Sequence, residues 1–214
     1  NIKKKFLIDQ VEHLLNEKNK YGKSNVGSDK NVNVEFVSAN PTGPVTVAHM
    51  RGAVLGDVIS SLLTNTGHQV TREYYVNNAG SQIDILGQSL LKRYLELHGE
   101  KAELNSDEYP GEYLIEMAKL IKKKDGDKWL NNELRQREDY FKDFAVKYLI
   151  EFIEKDLKLL NIKFDKFSFE TDIVNSNIIN DLFEILDKKN LLYNGILEKP
   201  KGDDSEDWEP REQL

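Results

Sequence analysis

Three residues within one helical turn, Thr46, Ala48 and His49, combine a hydroxyl, a small side chain and an imidazole. They stand at the start of residues 47 to 66, where apolar side chains recur at helical spacing, and they follow a PTGP turn at 41 to 44. The N-terminus of a helix directs unpaired backbone N–H groups and a positive dipole end outward, which suits phosphate. One interpretation is therefore that Thr46 caps the helix and that His49 donates to phosphate oxygens as charge builds in a transition state.

The same residues also have a purely structural interpretation. Thr46 would then only cap the helix, and His49 would be a partly buried structural histidine. The segment has neither a Walker lysine nor a GxGxxG pattern, so it is neither a P-loop nor a dinucleotide-binding fingerprint. The residue types alone leave the two interpretations evenly matched.

Polar residues also mark the end of the preceding segment, VNVEFVSAN, which predicts a buried β-strand over residues 32 to 38. Glu35, Ser38 and Asn40 stand near its carboxyl end. A carboxylate in a buried strand is costly unless it is paired, and it would suit a guanidinium group. However, Glu35 alternates with apolar neighbours, so the residues alone slightly favour a half-exposed glutamate without a ligand.

A second polar cluster, including Asn77, Asn78 and Gln82, follows a predicted strand at 68 to 76. Parallel strands end at a common sheet edge, where α/β proteins bind ligands. The amides and hydroxyls of this segment suit a polar ligand, and they equally suit an ordinary helix cap built around Asn78.

The elements that must position these residues alternate along the chain. Strand, helix, strand and a further helix at 79 to 98 form a βαβ unit, so we predict an α/β fold class with a parallel sheet. Three further helices are predicted, at 111–124, 133–160 and 176–189, together with a short strand around Phe164, Phe167 and Phe169. A helix is also predicted at 6 to 18.

The same pattern predicts how the chain is divided. We expect residues 31–99 to form the first half of an α/β domain and residues 100–190 to form a mostly helical insertion. We expect residues 191–214 to contain a hairpin, with Asn194-Gly195 as its turn.

Composition narrows the class of protein. The chain has 214 residues, 39% hydrophobic, and a net charge of −7, which argues against a dedicated nucleic-acid-binding domain but not against a local basic groove. It has no cysteine, and its four histidines lack zinc-ligand spacing, so we expect no structural metal. We found no apolar run of about 18 residues and no signal-peptide pattern, and we expect a cytoplasmic protein without a membrane partner.

Several long segments resemble one known family. VEFVSANPTGPVTVAHMRGAVLGD, REYYVNNAGSQID, YPGEYL and LEKPKG…EDWEPREQL are similar to arginyl-tRNA synthetases of the bacterial type, which are class I aminoacyl-tRNA synthetases. The resemblance runs from about Val32 onward. It implies a Rossmann-type catalytic domain that uses ATP and Mg²⁺ to form arginyl-adenylate, and then transfers L-arginine to the 3′-terminal adenosine of tRNA(Arg).

The resemblance also implies roles for individual residues. Arginine would bind at Glu35, Ser38, Asn40 and Gln82. ATP would bind at Thr46, Ala48, His49 and Gly52, with Thr46 and His49 as catalytic residues. The motif that corresponds to HIGH spans Ala39, Asn40, Pro41, Thr42, Gly43, Pro44, Val45, Thr46, Val47, Ala48 and His49.

The chain departs from the family pattern at three of these positions. Thr46 replaces the first histidine of HIGH, Ala48 replaces its glycine, and Asn78 replaces an aspartate. A hydroxyl can donate one hydrogen bond but cannot carry a positive charge. The Cβ of Ala48 narrows the space against which adenine packs in this family.

The resemblance covers the front half of an arginyl-tRNA synthetase catalytic domain. It implies that residues 1–30 are an exit segment from a preceding domain and that residues 191–214 return to the catalytic domain. We expect the parent enzyme to be a monomer. A KMSK-type loop and an anticodon-binding domain are expected after Leu214, so we expect the 214-residue chain alone to be inactive. Two alternatives are another nucleotidyl transferase with a HIGH-type motif and a non-catalytic synthetase-like binding module.

Overall fold

The computed structural model describes residues 2–28, 30–196 and 212–213, in two compact units, Asn1–Glu170 and Thr171–Leu214. The helices are α1 (Lys4–Glu17), α2 (Val47–Asn65), α3 (Ser81–Leu97), α4 (Glu112–Asp125), α5 (Leu134–Leu159), α6 (Glu170–Asn175) and α7 (Ile178–Lys188). The strands are β1 (Asn31–Glu35), β2 (Gln69–Val76), β3 (Lys166–Phe169), β4 (Gly195–Ile196) and β5 (Glu212–Gln213). No helix among the described residues is long and apolar enough to cross a membrane.

The first unit is built on a parallel sheet with the strand order β1-β2-β3. Asn31 pairs with Gln69 at one end of the β1–β2 ladder, and Glu35 pairs with Glu73 at the other. The third strand pairs with β2 in the same direction, so all three carboxyl ends lie at one edge. The predicted α/β class with a Rossmann-like parallel sheet is therefore confirmed.

Helices cover one face of this sheet. Tyr74 and Val76 of β2 are fully buried in a cluster with Ala53 of α2, Ile83 of α3 and Ile153 of α5. Both crossovers advance from β1 towards β3, and right-handed crossovers in one direction place their helices on the same face. The side chains of the opposite face are polar: Asn33, Glu35, Glu73, Tyr75, Lys166 and Ser168.

A second core joins the helices to one another. Leu90 of α3, Met117 of α4 and Phe141 of α5 are fully buried in it. Helices α3 and α5 thus contribute to both cores, because their ends near the sheet pack on the strands and their distal parts pack on α4. The buried residues of α5 are Phe141, Ala145, Val146, Leu149, Ile150, Ile153 and Leu157.

Two expectations about the first strand are wrong. It ends at Glu35 rather than at residue 38, because Val37 and Ser38 adopt positive φ angles of 65° and 39°. It is also not buried, since exposed and half-buried residues alternate along it. The Asn-Val-Asn-Val-Glu pattern reflects a strand with one covered and one open face.

Two further differences lie later in the chain. Strand β3 falls inside the range expected as a helical insertion, yet it joins the main sheet, because its aromatic side chains pack against Tyr74. Gly195 is a strand residue paired with Gln213, so Asn194-Gly195 is not the turn of a tight hairpin. The connection between β4 and β5 lies in residues 197–211, outside the described residues.

Candidate functional site

Thr46 and His49 form a reciprocal cap at the start of α2. Thr46 is the N-cap residue, as predicted, and its backbone N–H donates to Nδ1 of His49 at 3.0 Å. Its hydroxyl oxygen lies 3.2 Å from the same nitrogen. A side chain three residues into the helix that accepts from the N-cap N–H has the geometry of a capping box, with histidine in place of glutamate.

This cap determines which histidine nitrogen faces outward. Because Nδ1 accepts a hydrogen bond from Thr46 N–H, the ring proton of a neutral His49 must be on Nε2. Nε2–H is then a donor that the cap does not use. The side chain is half-buried, whereas Thr46 and Ala48 are exposed, so a ligand can reach the donor.

The segment between β1 and α2 is strained. A positive φ is rare for a β-branched residue, and Val37 adopts one at 65° directly before Ser38 at 39°. Ser38 is held by its side chain, whose hydroxyl accepts a hydrogen bond from the backbone N–H of Tyr75 at 3.1 Å. The hydroxyl of Tyr74 donates to the carbonyl oxygen of Ala39 at 2.9 Å.

A third tyrosine holds the same segment from the helical region. The hydroxyl of Tyr113 in α4 donates to the carbonyl oxygen of Thr42 at 2.6 Å. The ring also lies beside Gly43, where an added Cβ would meet the Tyr113 hydroxyl at 3.5 Å. Sequence reasoning missed this residue, because nothing local to YPGEYL indicates a contact with a turn 71 residues earlier.

Polar groups converge in a pocket of about 330 Å³ at the carboxyl edge of the sheet. The amide nitrogen of Asn40 donates to Oε1 of Gln82 at 3.1 Å across this pocket, which unites the ends of β1 and β2 as expected. The lining residues are Asn40, Asn77, Ala79, Gly80, Ser81, Gln82, Ile83 and Glu170.

Glu170 is a pocket residue that sequence reasoning missed. It follows β3 directly, and the rule that polar residues at strand ends meet at one edge would have found it once β3 was assigned to the sheet. In the amide orientation that satisfies its neighbours, Asn77 donates to the carbonyl oxygen of Ala79 at 3.2 Å and to the carboxylate of Glu170.

Tyr75 lies between two carboxylates at this edge. Burial raises the pKa of the Tyr75 hydroxyl, and the negative charges of Glu170 and then Glu35 raise it further. Glu35 and Ser38 are near this tyrosine but do not line the pocket of Asn40 and Gln82. The expected arginine-binding residues therefore fall into two adjacent groups rather than one.

Two glycines of α2 differ in their surroundings. A Cβ added at Gly52 would meet no atom within 4 Å, so this position leaves open space on the helix surface. A Cβ added at Gly56 would lie 2.2 Å from Cγ of Phe36, so this glycine allows α2 to approach the end of β1. Gly56 therefore has a packing role, and Gly52 leaves room for a ligand.

The residues present fit the phosphate groups of a nucleotide better than a resident metal ion. The described part of the chain contains no group of three or more His, Asp or Glu side chains that could hold a metal. The N-terminus of α2 instead offers backbone N–H groups, the Thr46 hydroxyl and Nε2–H of His49.

These features define an α/β domain with a capped helix start beside a polar pocket. Comparison with known families identifies the class of protein. The family model described as class I tRNA synthetases (R), catalytic domain, matches residues 10–195, so the chain belongs to this family.

The relatives are arginine–tRNA ligases. One from Ruegeria pomeroyi is 47% identical over 193 residues, covering 90% of this chain and 33% of the relative. One from Anaplasma marginale is 47% identical over 195 residues, covering 91% of this chain and 33% of that relative. The chain therefore spans about a third of the length of the curated relatives that it matches.

Solved structures agree with this assignment. A crystal structure described as an arginyl-tRNA synthetase from Campylobacter jejuni is 31% identical, with a TM-score of 0.76, and the match covers 92% of this chain and 42% of that one. The arginyl-tRNA synthetase of Thermus thermophilus is 22% identical, with a TM-score of 0.52, and the match covers 83% of this chain and 30% of that one. The latter comparison supports the fold alone.

Proposed function

We propose that the protein containing this chain attaches L-arginine to tRNA(Arg) through arginyl-adenylate. The observation that supports the proposal most directly is the pocket of Asn40 and Gln82 at the edge of the sheet. A short segment, whose carbonyl groups accept hydrogen bonds from tyrosine hydroxyls, connects this pocket to the capped N-terminus of α2. This arrangement supports an amino-acid site and a phosphate site on one connected segment, in a chain that belongs to the class I tRNA synthetase family.

In the first step, an oxygen of the arginine α-carboxylate attacks the α-phosphorus of ATP, and pyrophosphate leaves. Negative charge grows on the phosphate oxygens, and Nε2–H of His49 donates to them. The cap keeps this donor available because Nδ1 is occupied by Thr46 N–H. The Thr46 hydroxyl and the N-terminus of α2 add further hydrogen-bond donors and a positive dipole end.

Adenine and ribose would contact α2 at Ala48 and Gly52. Ala48 is exposed, Gly52 is half-buried, and a Cβ added at Gly52 would meet open space. Mg²⁺ would arrive with ATP and neutralise its phosphate charge. In the second step, a ribose hydroxyl of the 3′-terminal adenosine attacks the carbonyl carbon of the adenylate, and AMP leaves.

Arginine would bind across the edge of the sheet. Asn40 and Gln82 would supply amide groups to its polar end, and Ser38 would contribute from the adjacent group near Tyr75. Glu35 is exposed on the open face, so its carboxylate can approach a guanidinium without a prior cost of burial.

Residues 100–190 would help to hold the acceptor end of the tRNA, and residues 1–30 and 191–214 would lead from and into further parts of the enzyme. We propose a cytoplasmic monomer.

The test is arginine-dependent ATP–pyrophosphate exchange by the intact protein, with tRNA(Arg) present. Glu35→Gln should raise the KM for arginine by an amount equivalent to roughly 1.5–3 kcal/mol, because a charged hydrogen bond is lost. An unchanged KM would remove Glu35 from the site, and an absence of exchange with any amino acid would refute the proposed activity.

The departure at Thr46 favours one alternative, a non-catalytic synthetase-like module. Thr46→His in the intact protein separates the two cases. A large gain in aminoacylation would mean that the natural chain has degenerated, whereas little change would mean that threonine serves in place of histidine.

A further inference from the structure

Glu170 places a carboxylate in the pocket without a cation to balance it. It is half-buried, and it lines the pocket together with Asn40, Asn77 and Gln82. No lysine or arginine among residues 2–28, 30–196 and 212–213 forms an ion pair with it. The other residues that line the pocket are uncharged.

A pocket with an unbalanced carboxylate favours a ligand with a positively charged group. A partly buried carboxylate loses hydration, and a ligand cation restores the lost interaction through charge-assisted hydrogen bonds. Asn77 donates to one oxygen of Glu170, which orients the carboxylate while leaving it further capacity to accept. A ligand ammonium with its three donors would suit both Glu170 and the neighbouring amide oxygens.

A second carboxylate lies across the same edge. Glu35 ends β1 and Glu170 follows β3, so they flank β2 from its two sides. Neighbouring strands are about 4.8 Å apart, which separates the two strand ends by about 10 Å. Tyr75 of β2 lies between them and experiences the negative charge of both.

Two separated carboxylates match a ligand with two separated positive groups. An amino acid with a cationic side chain has this distribution, since its α-ammonium and its side-chain cation stand at opposite ends. Its α-carboxylate is the one polar group that neither glutamate would bind, and it is the group that must react with ATP.

We propose that Glu170 binds the α-ammonium group of the amino-acid substrate, while Glu35 binds the cationic end of its side chain. This assignment rests on the proposed function. It adds to the expected site a substrate-binding residue from the third strand, and it gives Asn77 the role of positioning that residue.

Calorimetric titration of the intact protein with three ligands tests the assignment. L-Arginine has both positive groups and the carboxylate, agmatine lacks the α-carboxylate, and 5-guanidinopentanoate lacks the α-amino group. Glu170→Gln should raise the Kd for arginine and for agmatine by about ten- to a hundredfold, and it should leave the Kd for 5-guanidinopentanoate within about twofold. Glu170→Asp, which keeps the charge, should restore part of the affinity.

Glu35→Gln is the matched control, because it should weaken all three ligands, each of which carries a guanidinium. The assignment is overturned if Glu170→Gln leaves arginine affinity unchanged, or weakens 5-guanidinopentanoate as much as arginine. A defect confined to transfer onto tRNA, with normal arginine binding, would also overturn it and would place Glu170 at the tRNA ribose.

The same titrations separate this inference from the proposed function. If the natural protein binds arginine and performs exchange but Glu170→Gln has no selective effect, only the role of Glu170 fails. If the natural protein neither binds arginine nor performs exchange, the proposed function fails and this inference fails with it. Circular dichroism of each variant shows whether the fold is retained.

Discussion

The hydroxyl of Tyr113 in α4 donates a 2.6 Å hydrogen bond to the carbonyl oxygen of Thr42, 71 positions earlier in the chain. Burial raises the pKa of this hydroxyl to about 12, so it remains protonated and able to donate. The contact fastens the PTGP turn, and therefore the approach to Thr46 and His49, to a helix outside the first βαβ unit.

Removal of this hydroxyl should disturb the site more than the fold. Tyr113→Phe should lower the free energy of unfolding by about 1 kcal/mol, the usual value of one hydrogen bond. It should also lower kcat for ATP–pyrophosphate exchange in the intact protein, because the turn loses an anchor. Tyr109→Phe is the control, since its hydroxyl makes no hydrogen bond within the described residues. Equal effects of both variants would contradict a positioning role for Tyr113.

The capping role of His49 and its proposed role in phosphate binding can be tested separately. Glutamine at the third helical position can accept from the N-cap N–H, so His49→Gln should keep thermal stability near that of the natural chain. Exchange activity of the intact protein should fall roughly a hundredfold if Nε2–H stabilises the transition state. His49→Ala should lose both the cap and the exchange activity, and the lost cap should lower the free energy of unfolding by about 1 kcal/mol. Normal exchange by His49→Gln would leave the histidine with a structural role alone.

The two glycines of α2 should respond to alanine in opposite ways. Gly56→Ala would place Cβ against Phe36, so we expect a loss of roughly 1–3 kcal/mol of stability from overpacking. Gly52→Ala meets open space, so we expect a gain of up to about 1 kcal/mol from helix propensity. If Gly52 lines the ATP site, the same change should raise the KM for ATP. Urea unfolding and exchange kinetics measure the two effects, and destabilisation by Gly52→Ala would contradict the open surroundings.

Glu73 should make the stability of the sheet depend on acid pH. Hydrogen bonds from Ser168 and then Asn33 hold the pKa of its carboxyl below the ordinary 4.5, although burial opposes them, and Lys166 adds a smaller effect. A lowered folded-state pKa stabilises the protein above the unfolded value, and this stability is lost as pH falls through the folded value.

The measurement is the urea midpoint of the chain between about pH 6 and pH 3, compared for the natural sequence and Glu73→Gln. The natural sequence should lose more stability on acidification than the variant, in the range below 4.5. Glu12→Gln, at an exposed position of α1, should follow the natural curve. Parallel curves for Glu73→Gln and the natural sequence would show that these hydrogen bonds contribute nothing to acid stability.

Local patterns along the chain determined the elements of the first unit. Helical spacing and the turn residues before Thr46 located α2 and its cap, because capping depends on residues within one helical turn. The strand–helix–strand order predicted a parallel sheet, and family resemblance indicated the class of enzyme. Asn40 and Gln82 were predicted to meet because parallel strands end at one edge.

Tertiary packing determined three features that local sequence patterns do not indicate: the backbone of residues 37 and 38, the place of β3 in the sheet, and the position of Glu170. The positive φ angles of Val37 and Ser38 oppose the preference of those residues and persist because Tyr74 and Tyr75 hold the segment from a neighbouring strand. β3 joins the sheet through aromatic contacts with β2, although α3, α4 and α5 separate the two strands in sequence. Only that pairing brings Glu170 to the pocket, since its position depends on contacts that are distant in sequence.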